Sequence, residues 1–114
     1  MAQVADVLLD KMVKAIVDEV DPEQVILFGS RARGDATADS DIDLVVIEAQ
    51  PFEAGRDRRT EAMRLWRVLA AFDAPADLLV YSRDEVAYWR DSRNHVLARA
   101  LREGKVLYER RQAS

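Results

Sequence analysis

Several residue types that define whole classes of protein are absent from this sequence. There is no cysteine, which excludes a disulfide scaffold, thiolate zinc sites and cysteine catalysis. No apolar run approaches the roughly 20 residues that span a bilayer. Residues 1–10 carry aspartates and lack the basic and then apolar order of a signal peptide. We therefore expect a cytoplasmic protein with no membrane association.

Basic charge is also in deficit. The chain has 17 Lys and Arg against 21 Asp and Glu, for a net charge of −4. General nucleic-acid binding needs clustered basic charge, so we do not expect it here. The 114 residues are 49% hydrophobic and 33% charged, which is globular composition with enough apolar surface for one core. We expect a single domain over residues 1–114.

Apolar residues repeat at helical spacing in some segments and form short runs in others. The helical spacing predicts helices over residues 2–20 and about 62–72, and a further helix that continues from a cap at Ser82 to Glu103. Short apolar runs predict strands over 25–28, 42–47 and 77–81, with an edge strand over 105–109. Strands separated by helices predict an α/β (α+β) fold: a small sheet of three or four strands with helices packed on it.

Two aspartates open the second predicted strand. In the segment LFGSRARGDATADSDIDLVV, a strand ends at Gly29-Ser30, ten residues follow, and Asp41 and Asp43 begin the next strand. Strand residues two apart point to the same side, so both carboxylates lie together. Their repulsion is relieved by a divalent cation, and Mg²⁺ commonly binds one or two carboxylates together with phosphate oxygens. The alternative is a solvated turn followed by an edge aspartate.

The residues before those aspartates suit a phosphate. Gly29 has no Cβ and allows close approach of a ligand, and Ser30 adds a hydroxyl at an expected helix N-terminus, where N–H groups attract phosphate. Carboxylates beside such a phosphate-binding glycine and serine indicate a nucleoside triphosphate site with in-line attack at phosphorus. Gly29 and Gly34 have Walker A spacing, but Asp35-Ala36 stands where Lys and Ser/Thr are required. A P-loop ATPase is therefore not expected.

These motifs resemble the nucleotidyltransferase superfamily whose fold is shared with DNA polymerase β. The resemblance lies in Gly29-Ser30, the ten-residue spacing and Asp41-Ile42-Asp43. The longer string GSRARGDATADSDIDL and the tail GKVLYE look like the minimal nucleotidyltransferases, the short antitoxin partners of HEPN-domain ribonuclease toxins. The resemblance covers most of the chain and implies a polymerase β-like nucleotidyltransferase core, in which the small sheet of three or four strands is mixed.

The resemblance also implies roles for the phosphate-side residues. Gly29 and Ser30 would bind the β- and γ-phosphates of the nucleotide. Arg31 and Arg33 lie on the following loop, and the planar fork of an arginine suits phosphate. The alternative for the two arginines is pairing with aspartates of a solvated loop.

A third carboxylate completes the family pattern. By resemblance, Asp41 and Asp43 would hold two Mg²⁺ ions, and a later carboxylate would help to hold a metal and accept the proton of the attacking hydroxyl. Asp77 opens an apolar strand and fits this position, and we favour it. Asp73 is the rival, but it ends a predicted helix two residues before Pro75.

The resemblance implies Mg²⁺-dependent transfer of AMP from ATP to a hydroxyl, with release of pyrophosphate. The implied acceptor is a tyrosine of a HEPN ribonuclease toxin, which makes the chain an antitoxin and a protein adenylyltransferase. Two alternatives stay open: neutralisation of the toxin by binding alone, and transfer to a small molecule such as an aminoglycoside. Because larger relatives close over the nucleotide with a further helical domain, we expect a toxin partner or a homodimer across an exposed site.

Four further residues lie in the predicted helical segments. His95, the single histidine, could act as a general base, but its helical surroundings favour a packing role. Trp66 fits the apolar stripe of the second helix and is expected in the core. The adjacent Tyr88-Trp89 cannot both follow one helical stripe, so one of them is expected to be exposed.

Overall fold

The computed structural model describes residues 4–29, 32, 34, 42–72, 76–93 and 95–110. Its helices are α1 (Val4–Val20), α2 (Arg58–Leu69), α3 (Arg83–Trp89) and α4 (Val96–Glu103). Its strands are β1 (Gln24–Phe28), β2 (Ile42–Glu48), β3 (Ala76–Ser82) and β4 (Lys105–Glu109). None of the helices in these ranges is long and apolar enough to cross a membrane.

The strands form one mixed sheet in the order β3-β2-β1-β4. β1 pairs antiparallel with both β2 and β4, and β2 pairs parallel with β3. The predicted small mixed sheet with packed helices is therefore confirmed, including the last strand over residues 105–109.

Helices cover both faces of the sheet, and the apolar residues of β2 pack against them on each side. Leu44 and Val46 point to the face that α1 and α2 cover, where they pack with Met12, Ile16 and Leu65. Alternate residues point to the other face, where α3 and α4 pack. There Val45 and Ile47 meet Leu97, Ala100, Val86 and Trp89. A strand buried on both sides has little freedom to shift in register.

The predicted continuous helix from Ser82 to Glu103 is wrong, because two helices occupy this segment. Ser82 does cap the first, α3, in a capping box with Glu85, as its sequence indicates. α3 ends at Trp89, and α4 begins after His95, whose Nδ1 accepts a hydrogen bond from the backbone N–H of Leu97 at 3.1 Å. The histidine therefore acts as a helix cap.

The prediction that Trp66 lies in the core is also wrong. The buried residues of α2 are Glu61, Leu65 and Leu69, at intervals of four. Trp66 lies about 100° further round the helix and is 42% exposed. The expectation for Tyr88-Trp89 is confirmed, because Tyr88 is 76% exposed.

Candidate functional site

The candidate site lies where β1 ends and where β2 and β3 begin. Antiparallel pairing places Phe28, the last residue of β1, opposite Asp43 near the start of β2. Parallel pairing places Asp77, near the start of β3, beside Asp43 in the register. The topology therefore brings together a glycine and two aspartates that are far apart in the sequence.

Asp43 and Asp77 share one face of the sheet. They are register partners on neighbouring strands, which lie about 4.8 Å apart. Asp43 is half-buried and Asp77 is exposed. Two carboxylates side by side repel each other, and their oxygens are the ligands that a hard divalent cation prefers. The pair fits Mg²⁺ by the chemistry of its donor atoms.

Gly29 is required next to this pair for two reasons. Its φ is +75°, in the left-handed region that side chains other than hydrogen disfavour. A Cβ at this position would overlap Oδ2 of Asp43 and lie 3.2 Å from its Cγ. A larger residue would therefore displace the carboxylate, which gives the glycine of the Gly-Ser motif a role at the acidic pair itself.

Four of the sequence-predicted site residues lie outside the described residues: Ser30, Arg31, Arg33 and Asp41. Their roles stay predictions, as does the convergence of three carboxylates. In the part of the chain that the structure describes, no three His, Asp or Glu side chains form a metal-binding group. Asp73, the rival for the third carboxylate, is also outside that part.

His95 has no place at the acidic pair. Its ring stacks on Trp89, with ring centroids 4.2 Å apart and 13° between the planes, and meets Tyr81 edge-on at 5.9 Å. With Nδ1 engaged in capping α4, the side chain has a packing and capping role. The interpretation of this histidine as a structural residue is confirmed.

A second charged cluster, which sequence reasoning missed, lies at the opposite end of β2. Glu48 ends the strand and is only 4% exposed. Arg56 joins it to α2 by donating from Nη2 to Glu48 Oε1 at 3.0 Å and from Nη1 to Glu61 Oε2 at 3.1 Å. Arg64 extends the cluster to α1 by donating from Nε to Glu19 Oε1 at 2.7 Å.

This cluster borders a cavity of about 440 Å³. Burial raises the pKa of Glu48, and the hydrogen bond from Arg56 opposes that rise. Among the described residues Glu48 Oε2 is buried without a hydrogen-bond partner. The sequence shows that Glu48 follows an apolar run. It does not show that Arg56 contacts Glu48, because Arg56 lies in the irregular connection between β2 and α2. The cluster ties α1, β2 and α2 together.

Comparisons with known proteins agree with this geometry. The family model described as "Polymerase beta, Nucleotidyltransferase" matches residues 10–113. A curated relative from Methanocaldococcus jannaschii, whose name assigns it as a protein adenylyltransferase, is 33% identical over 86 residues, covering 75% of this chain and 78% of its own.

Two solved structures share the fold. A nucleotidyltransferase structure from Sulfolobus solfataricus superposes with a TM-score of 0.65 at 22% identity, covering 90% of this chain and 78% of that one. A complex described as a tri-AMPylated Shewanella oneidensis HEPN toxin with its MNT antitoxin gives a TM-score of 0.54 at 23% identity, covering 91% and 71%.

Proposed function

Since this chain belongs to the polymerase β-type nucleotidyltransferase family, we propose that it transfers AMP from ATP to a hydroxyl group at the Asp43–Asp77 end of the sheet. The observation that carries the proposal is the pairing of Asp43 with Asp77 on one face, directly beside Gly29. Two carboxylates beside a glycine suit a ligand that combines phosphate with a divalent cation.

The two described aspartates have different tasks in this proposal. Asp43, with Asp41, would hold Mg²⁺, which when bound neutralises the charge of the phosphates and of the departing pyrophosphate. Asp77 is the more exposed of the pair, so it can reach an incoming acceptor and take its proton. The acceptor oxygen forms a bond to the α-phosphorus, the bond from that phosphorus to the bridging oxygen breaks, and pyrophosphate leaves.

In this proposal the Gly29-Ser30 motif binds the triphosphate of the nucleotide. The backbone at Gly29 can approach the triphosphate because it has no side chain, and Ser30 would donate its hydroxyl to the same group. Arg31 and Arg33 would neutralise phosphate oxygens from the loop that follows. These assignments rest on the family motif.

We assign a tyrosine of a HEPN ribonuclease toxin as the acceptor. The M. jannaschii relative bears a protein adenylyltransferase name, and the Shewanella complex is described as an AMPylated HEPN toxin with its antitoxin. In this role the chain is an antitoxin, because an added AMP brings charge and bulk to the toxin. A toxin protein is thus the expected partner.

The proposal is tested by incubating the chain with ATP, Mg²⁺ and a HEPN ribonuclease toxin, followed by mass spectrometry of that toxin. We expect an AMP adduct on tyrosine, its loss with Asp77→Asn, and its retention with Asp84→Asn, a matched change of an exposed acid on α3. An inhibited toxin without adduct would favour neutralisation by binding alone. An adduct only on an added aminoglycoside would favour the small-molecule alternative.

A further inference from the structure

A small cavity opens beside Gly29, on the β1 side of Asp43. It has a volume of about 150 Å³ and lies between the end of β1 and one face of α4. Among the described residues its lining consists of Phe28, Gly29, Val96, Arg99, Ala100 and Glu103. The α4 residues follow the spacing i, i+3, i+4 and i+7, so a single helix face makes one wall. We name it the α4 cavity.

The size of the α4 cavity limits what it can hold. A volume of about 150 Å³ corresponds to roughly five water molecules. Pockets that enclose a whole drug-sized ligand start near roughly 300 Å³. The α4 cavity can therefore receive one part of a ligand whose remainder lies outside it. Because Gly29 lines the cavity and also lies against Asp43, the remainder of such a ligand would lie at the candidate functional site.

The lining offers apolar surface together with one donor and one acceptor. Phe28, Val96 and Ala100 supply apolar atoms. Arg99 and Glu103 are exposed, and the side chain of neither has a hydrogen bond or ion pair within the described ranges. A carboxylate in the lining disfavours a phosphate chain, whereas a heterocyclic base has flat apolar faces and an edge with both donors and acceptors.

We propose that the α4 cavity binds the base of the nucleoside triphosphate, with Glu103 accepting from an exocyclic amino group and Arg99 donating to a neighbouring ring nitrogen. Adenine presents this combination, and uracil has no amino group. The inference rests on the proposed function, since it assigns the base subsite of the same reaction. Arg99 and Glu103 then favour a base with an amino group beside a ring nitrogen, such as adenine, over uracil.

Calorimetric titration of the whole chain in the presence of Mg²⁺ tests the proposal with two probes, ATP and inorganic tripolyphosphate. Arg99→Ala and Glu103→Gln are each expected to weaken ATP binding about tenfold and to leave tripolyphosphate binding unchanged. Arg102→Ala is the matched control, because Arg102 is an exposed arginine of the same helix outside the cavity lining. We expect it to bind both probes as the unaltered chain does.

A second readout uses UTP. The unaltered chain should prefer ATP to UTP, and Glu103→Gln should reduce that preference. If both variants bind ATP like the unaltered chain, or weaken ATP and tripolyphosphate equally, the base subsite is overturned and the proposed function is untouched. If the unaltered chain binds neither probe, the proposed function falls, and the base subsite with it.

Discussion

The two ends of β2 each carry an acidic residue, in opposite surroundings. Asp43 at the start is half-buried between Gly29, which leaves it space, and Asp77, which adds a second negative charge. Glu48 at the end accepts a hydrogen bond from Arg56, which also binds Glu61 of α2, and Arg64 of the same cluster binds Glu19 of α1. One strand thus contains an acid that lies beside a second acid and a glycine, and an acid that is ion-paired to an arginine. The neighbours of the two acids, more than their burial, distinguish the end of β2 at which we propose chemistry from the end that ties helices to the sheet.

Removing the charge at each end is the strongest way to test this difference. Asp43→Asn should lower the initial rate of AMP transfer by about a thousandfold, because metal-based charge stabilisation contributes several kcal/mol. Glu48→Gln, in the same strand, should leave that rate nearly unchanged. Rates are measured as pyrophosphate release at saturating ATP, with circular dichroism to check folding. Similar losses in both variants would remove the distinction between the two ends.

A substitution at Gly29 tests whether its space serves Asp43. Gly29→Ala should cost about 1–2 kcal/mol of stability from its positive φ, and about a hundredfold in rate from displacement of the carboxylate. Gly55→Ala is the control, because Gly55 has a φ of +90° and no atom of the described chain lies within 4 Å of the point that a Cβ would occupy. Equal rate losses in the two variants would attribute the effect to backbone strain alone. Urea denaturation gives the stability cost of each.

Breaking the cluster at the other end should affect stability more than rate. Arg56→Ala leaves the carboxylates of Glu48 and Glu61 without their shared guanidinium, which should cost about 2–3 kcal/mol in urea denaturation. The rate of AMP transfer at a temperature well below the melting point should change little. A large rate loss with intact stability would show that this end also takes part in the reaction.

The smallest expected effect is a change in the pH dependence of stability. The pKa of Glu48 is raised in the folded chain, so the folded state binds its proton more tightly than the unfolded state does. The contribution of this tighter proton binding to the unfolding free energy is complete below the ordinary pKa of 4.5 and is lost as the pH rises through the raised pKa. The unaltered chain should therefore lose stability as the pH rises above about 4.5, and the Glu48→Gln variant should not. The unfolding free energy of the variant should increase relative to that of the unaltered chain over this range. A constant difference would argue against a raised pKa.

The strands were predictable because their sequence patterns are local. Residues 44–47 are continuously apolar, as is typical of a strand covered on both faces, and the Gly-Ser and Asp-x-Asp spacing is the basis for the candidate site at the start of this strand. The pairing of Asp43 with Asp77 required the additional knowledge that β2 and β3 are parallel. The spacing of apolar residues does not reveal whether two strands run parallel, so this pairing is visible only in the structure.

The remaining errors concern contacts between elements. The break between α3 and α4 depends on a histidine that both caps one helix and stacks on the last residue of the other. The exposure of Trp66 depends on where α1 and the sheet meet α2, and a helical pattern gives a stripe to within one residue at best. The α4 cavity and the Glu48 cluster likewise arise only when distant segments pack.

The position of β4 in the sheet determines the stage of synthesis at which the candidate site can form. β1, which delivers Gly29 to the site, is the partner of β4, and Gln24 pairs with Glu109. During synthesis β1 therefore emerges from the ribosome long before its second neighbour does. Pairings of high sequence separation form late, because the loop between them must be closed first. The backbone at Gly29 and the α4 cavity should acquire their final geometry only after residues 105–109 have been made, so the proposed nucleotide binding by a nascent chain should not begin before that point.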